Sequence, residues 1–145
     1  MSDFSFGAVS IENISIGMTA TYSQTITDAD IKAFADISGD HNPVHLDSVY
    51  ASESRYKKRI AHGLMTASFF SAIFGTKIPG PGCVYVSQSL EFKRPVYIGD
   101  AVTAVVEVIK TDIPNNRVSF KTDCKVNGKI VTTGEAEIFI PRTKK

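Results

Sequence analysis

Gly63-Leu64-Met65-Thr66-Ala67-Ser68-Phe69-Phe70-Ser71-Ala72-Ile73-Phe74 contains no charged side chain. A helix that is apolar on nearly every side is a buried one. The stretch therefore predicts a helix at the centre of the molecule, with Gly75 as its stop. On its C-terminal side, Pro79-Gly80-Pro81-Gly82 makes residues 78–82 a loop. After that loop the pattern becomes that of strands. Residues 83–93 interleave Val84, Val86, Leu90 and Phe92 with polar residues, and Arg94-Pro95 interrupts them. Gly99-Asp100 turns the chain into residues 101–110, which are strongly β-forming. Pro114-Asn115-Asn116 marks a hairpin before residues 118–126. Asn127-Gly128 marks a type I′ turn before residues 129–140, which Pro141 ends.

Upstream of the central helix, residues 18–26 read as a strand. Thr27-Asp28-Ala29-Asp30 is a variant capping box, followed at helical spacing by Ile31, Phe34, Ala35 and Ser38. Gly39 suits the end of that helix. Residues 46–54 predict a short helix and residues 52–60 an exposed loop. Helices ahead of a run of hairpins mean α+β, an antiparallel sheet curled around one buried helix. Residues 1–145 are expected to form one domain, with residues 1–17 an N-terminal arm. Such a sheet still has edges, and pairing them across a two-fold axis predicts a homodimer or a dimer of dimers.

The net charge of +1 gives no reason to expect a nucleic-acid partner. Lys57-Lys58-Arg59 and Lys144-Lys145 read as solvated surface. Cys83 and Cys124 match no metal or redox spacing. No apolar run approaches the roughly 18 residues that span a membrane. Met1-Ser2-Asp3-Phe4 does not begin a secretory signal, so the cytoplasm is the expected location.

The chemistry concentrates in Gly39-Asp40-His41-Asn42-Pro43-Val44-His45-Leu46-Asp47. Asp40 leaves a helix end, and the break at Asn42-Pro43 separates it from His45. A carboxylate and an imidazole converging on one water can take a proton at one point and give one at another. The bland alternative is that Asp40 ends a helix and His45 is a hydrogen-bonded core residue. A metal held by Asp40, His41, His45 and Asp47 is disfavoured, since Pro43 breaks the helix that would put both histidines on one face. Asn42 offers a neutral group able to orient the pair. His62-Gly63 opens the buried helix. The first-turn N–H groups of a helix are unpaired and carry partial positive charge. Gly63 lets a ligand approach that backbone closely, as an oxyanion hole requires; the competing reading is a glycine kept for helix packing. His62 reads as structuring the turn.

Asp40-x-Asn42-Pro43-x-His45 with His62-Gly63 resembles the hydratase motif of MaoC-like (R)-specific enoyl-CoA hydratases, which are single hot-dog-fold proteins. Ala67-Ser68-x-Phe70-Ser71, Pro79-Gly80-x-Gly82 and Tyr85-x-x-Gln88-Ser89-Leu90-x-Phe92-x-x-Pro95-Val96-x-x-Gly99-Asp100 are similar to the short polyhydroxyalkanoate-linked members. The resemblance covers residues 18–140. It implies a hot-dog fold and syn addition of water to a trans-2-enoyl-CoA, giving the (R)-3-hydroxyacyl-CoA, with no cofactor and no metal. By that resemblance Asp40 and His45 hold and activate the water. The Gly63 N–H binds the thioester carbonyl, and Asn42 orients the pair. Ser71 and Phe74 shape the acyl pocket, where a bulky Phe74 implies short chains. Lys93 or Arg94 could meet the phosphates of CoA, and both read equally well as surface charge. Three alternatives stand beside this one: a hot-dog acyl-CoA thioesterase, a 3-hydroxyacyl-carrier-protein dehydratase, and a non-catalytic acyl-CoA-binding subunit.

Overall fold

The computed structural model describes residues 8–142. Its six strands, all paired antiparallel, are β1 (Thr19–Thr25), β2 (Val84–Gln88), β3 (Glu91–Phe92), β4 (Ala101–Asp112), β5 (Arg117–Val126) and β6 (Lys129–Phe139). They form one sheet in the order β1-β4-β5-β6-β2, with β3 also pairing β6. The helices are α1 (Asp28–Ser38), α2 (Pro43–Leu46), α3 (Ser48–Glu53) and α4 (Gly63–Thr76). Helix α4 lies against β1, β4, β5 and β6. This is a hot-dog fold, the curved sheet wrapped around its central helix.

Alternation builds the inner face of the sheet. Val102, Ala104, Val106 and Val108 of β4 and Val118 and Phe120 of β5 are fully buried. From α4 come Met65, Thr66, Phe69, Phe70, Ile73 and Phe74. The Phe74 ring meets Phe120 at 4.8 Å, and Tyr22 of β1 meets Phe69 at 5.4 Å. Burying each phenylalanine contributes about 1.5–3 kcal/mol, which makes this helix the chief anchor of the core.

Four details differ from the sequence reading. The short helix expected over residues 46–54 is two, α2 and α3, separated at Asp47. Helix α4 runs through Gly75 to Thr76. It is also not covered on every side, because Leu64, Ser68, Ser71 and Gly75 form an exposed stripe at helical spacing. The stretch expected as one strand over residues 83–93 is broken at Ser89-Leu90 into β2 and β3. The cause lies across the sheet. A Cβ at Gly134 would fall 1.9 Å from the Ser89 carbonyl oxygen, so Gly134 lets Ser89 fold inward over β6. There Ser89 N–H donates to the Glu135 carbonyl at 2.9 Å, and Ser89 Oγ accepts from Glu135 N–H at 3.0 Å.

Of the expected N-terminal arm, residues 1–7 lie outside the described residues. Residues 8–17 bury Ile11 and Ile14 in the core. Val9 N–H donates to the Pro79 carbonyl, and Gly17 N–H to that of Val108.

Candidate active site

Local chemistry delivers Asp40 to its place. The capping box forms at the start of α1, with Asp30 N–H donating to Thr27 Oγ1 and Thr27 N–H to Asp30 Oδ2. At the other end Gly39 takes φ +80°, a left-handed turn that glycine adopts without strain. The chain leaves the helix sharply there, and Asp40 N–H donates to Ser38 Oγ at 3.1 Å. Asn42 then does two jobs. Its N–H donates to Asp40 Oδ1 at 3.1 Å, and its side chain caps α2 by accepting from Val44 N–H. Pro43 occupies the first helical position, where no N–H is needed. This one-turn helix carries His45 inward until it is 8% exposed.

His45 is gripped at two points. Its Nδ1–H donates to the Ile60 carbonyl at 2.7 Å. Its own carbonyl accepts from Arg59 Nε at 2.6 Å, while Arg59 pairs with Asp28 of α1 at 2.7 Å. With Nδ1 holding the proton, the neutral ring keeps its lone pair on Nε2, and Nε2 lies 4.0 Å from Asp40 Oδ2. Burial holds the His45 pKa below the ordinary 6.5. The nearby His62 adds to that, while the Ile60 carbonyl and Asp40 oppose it.

His62 precedes α4, and its side chain does not cap that helix. Its Nε2 instead donates to the Asp40 carbonyl at 3.0 Å. Gly63 opens the helix at a cavity of about 560 Å³ that Asp40, His45, His62, Gly63, Leu64 and Phe92 help to line. Phe92 lies directly over Gly63, since a Cβ there would come within 2.6 Å of the ring. Arg55, Lys93 and Arg94 give the same cavity a cationic side.

The MaoC like domain family matches residues 12–135. This chain belongs to that family. Among MaoC-like proteins, it is 48% identical over 130 residues to the (R)-specific enoyl-CoA hydratase of Rhodospirillum rubrum, with 90% of each chain covered. It is 41% identical over 131 residues to the 3-hydroxybutyryl-CoA dehydratase of Methylorubrum extorquens, covering 90% of this chain and 83% of that one. Its structure superposes on the unliganded R-hydratase PhaJ1 of Pseudomonas aeruginosa with a TM-score of 0.88 and 41% identity, covering 94% of this chain and 88% of that one.

The structure brings Asp40, His45 and Gly63 to one cavity. Asn42 does not line it and touches Asp40 only through its backbone. Ser71 and Phe74 do not line it either. Ser71 sits on the exposed stripe of α4, and Phe74 is 1% exposed, packed on Phe120 and Tyr85. Sequence reasoning set Arg59 aside as surface, and it passed over the contacts of Phe92 and His62. The motif Leu90-x-Phe92-x-x-Pro95 and the pair His62-Gly63 carried the available signal for the last two.

For a metal, Asp40, His45 and His62 each place a ligand-type atom within 4.8 Å of the others. The two imidazoles, however, are stacked 3.8 Å apart at 28°. Lone pairs lie in the ring planes, so near-parallel rings project them side by side and not toward one ion. The N–H bonds of His62 Nε2 and His45 Nδ1 to carbonyls leave lone pairs on His62 Nδ1 and His45 Nε2, so it is the ring geometry that decides. The cluster does not fit a chelate. His41 and Asp47 are directed elsewhere, His41 to Asp36 and Asp47 to the first N–H groups of α3. No helix among the described residues is long and apolar enough to cross a membrane.

Proposed function

We propose that this chain is an (R)-specific enoyl-CoA hydratase, adding water to trans-2-enoyl-CoA and, in reverse, dehydrating (R)-3-hydroxyacyl-CoA. The observation that carries the reading is the tautomer of His45. Its Nδ1–H is tied to Ile60, so its Nε2 lone pair faces Asp40 in a cavity that also exposes the start of α4. Hydration needs those three things together: a base, a proton donor and an oxyanion site.

Water bonds through oxygen to C3 while His45 Nε2 takes one of its protons. The C2–C3 π pair moves toward the carbonyl, whose oxygen gains charge beside the Gly63 N–H. A proton returns to C2 on the same face from the Asp40–His45 pair, so the pair takes one proton from water, gives one back and ends as it began. Arg55, Lys93 and Arg94 suit the phosphates of CoA. A tail running beside α4 from Gly63 reaches Ser71 and Phe74 only after about 12–16 Å at 1.5 Å per residue. Those two therefore bear on long chains, and the buried Phe74 ring favours short ones. The cytoplasm is the location this reading expects.

Crotonyl-CoA tests the proposal. The enoyl absorbance should fall with no release of free thiol. Thiol release would mean a thioesterase, and no change would leave acyl-CoA binding or a carrier-protein substrate. The active form needs neutral His45, so activity falls as pH drops through its pKa. Because burial lowers that value, the acid limb of kcat/KM should have its midpoint below 6.5.

We also propose that the working form is a homodimer. The edge strand β2 exposes Val84, Tyr85 and Val86, and the α4 stripe exposes Leu64. A second copy pairing at β2 would cover apolar surface that a monomer leaves wet. Light scattering should give twice the mass of one chain; a single-chain mass at micromolar concentration would overturn this.

A further inference from the structure

The hydratase reading uses His62 only as the residue before Gly63, yet its surroundings are those of a working group. It is 3% exposed. One face of its ring stacks on His45 at 3.8 Å, and the Phe34 ring packs on it at 4.8 Å. Its Nε2–H is spent on the carbonyl of Asp40. A single imidazole thus touches both members of the acid/base pair, the ring of one and the backbone of the other.

The residue type is informative. For stacking alone, phenylalanine would serve and would bury no polar atom. For the bond to Asp40 alone, glutamine would serve. Histidine supplies both, and it does so with its Nδ1 buried and without a hydrogen-bond partner among the described residues. A buried polar atom without a partner is destabilising and calls for an explanation. The position adds a second anomaly. Residues preceding helices commonly cap them with Ser, Thr, Asp or Asn. His62 faces away from its own helix and leaves the first N–H groups of α4 uncapped.

Resting on the hydratase reading, we propose that His62 is the positioning residue of the site. It fixes the Asp40 backbone and the plane of the His45 ring relative to each other, and it keeps the oxyanion end of α4 open. It touches no reacting atom. The Asp40–His45 separation of 4.0 Å leaves room for a shared water only while both groups hold their places. Misplacement of reacting groups by about 1 Å can cost up to about a hundredfold in rate.

Two variants divide the roles. His62→Phe keeps the stacked ring and removes the donor; His62→Gln keeps a donor and removes the ring. Both should lower kcat on crotonyl-CoA by about tenfold or more, with KM changed by less than about threefold, because the loss falls on the placing of Asp40 and His45. His62→Gln should also raise the titration midpoint of His45. The groups facing His45 are Asp40, His62, Arg59 on its carbonyl, and Arg55, Lys93 and Arg94 across the cavity. Of these only His62 is altered, and its removal relieves both burial and a neighbouring imidazole. The His45 midpoint and its Nδ1–H tautomer are read by ¹⁵N NMR in the protein without substrate. Those readings stand even if the wild-type protein fails to hydrate crotonyl-CoA, a result that would count against the hydratase reading alone. Variants that melt earlier but keep wild-type kcat, together with the wild-type His45 midpoint and tautomer, would make His62 a packing residue and overturn the proposal.

Discussion

Turnover of crotonyl-CoA falls by about 10²–10⁴ in His45→Gln and by a similar factor in Asp40→Asn, the usual effect of losing a positioned acid or base. Neither change should unfold the site. The carbonyl of His45 keeps its bond to Arg59 in any variant. An asparagine at position 40 keeps an oxygen for the N–H of Asn42, which now meets Asp40 Oδ1. What disappears is the imidazole lone pair on Nε2 in one case and the carboxylate beside it in the other. Because the two act on the same water and substrate, the double variant should be little worse than the poorer single one. Retention of turnover within about threefold in either single variant would remove Asp40 and His45 from the chemistry.

The second large effect concerns one hydrogen atom. Gly63→Pro deletes the N–H at the first position of α4, and the fold is ready to accept proline there. The first position of a helix is the one where proline is favoured. The preceding residue must be extended, and His62 already has φ −63° and ψ 130°. The new ring must displace Phe92, whose side chain is half exposed and able to move. Losing one oxyanion donor costs about 10²–10³ in kcat. Gly63→Ala is the control, since it sets the same Cβ against Phe92 and keeps the N–H. A helix-end donor predicts a much larger loss for proline than for alanine. Equal losses would mean that crowding, not the N–H, explains the glycine.

The local devices in this chain were legible because they are written in neighbouring residues. The Thr27–Asp30 box, the left-handed Gly39 and the Asn127-Gly128 turn each need only a few consecutive positions, whereas Pro43, read as a break, opens the one-turn α2. The buried helix was legible because its lack of charge admits one environment. The break at Ser89 was not, because its cause is Gly134 on another strand. Helix α4 passes Gly75 because nothing at that exposed position requires a turn. In the site, Asp40, His45 and Gly63 could be singled out as residue types suited to a task. Arg59 could not, since its neighbours Lys57 and Lys58 disguised it as surface charge, and only the fold brings Asp28 and the His45 carbonyl to it. Ser71 and Phe74 came from the resemblance alone, and on α4 they lie away from the lining of the Asp40–His45 cavity.

The reach of Arg59 has a further consequence. Through one guanidinium it joins the first residue of α1 to the backbone of His45, while the next residue along, Ile60, holds the ring of the same histidine. The irregular segment around Asp40 and His45 is therefore closed by the folding of α1 and the sheet, before any substrate arrives. The entropy of ordering it is charged to folding, and little of the thioester's binding energy is diverted to assembling the site. A loop built in this way behaves as preorganised scaffold.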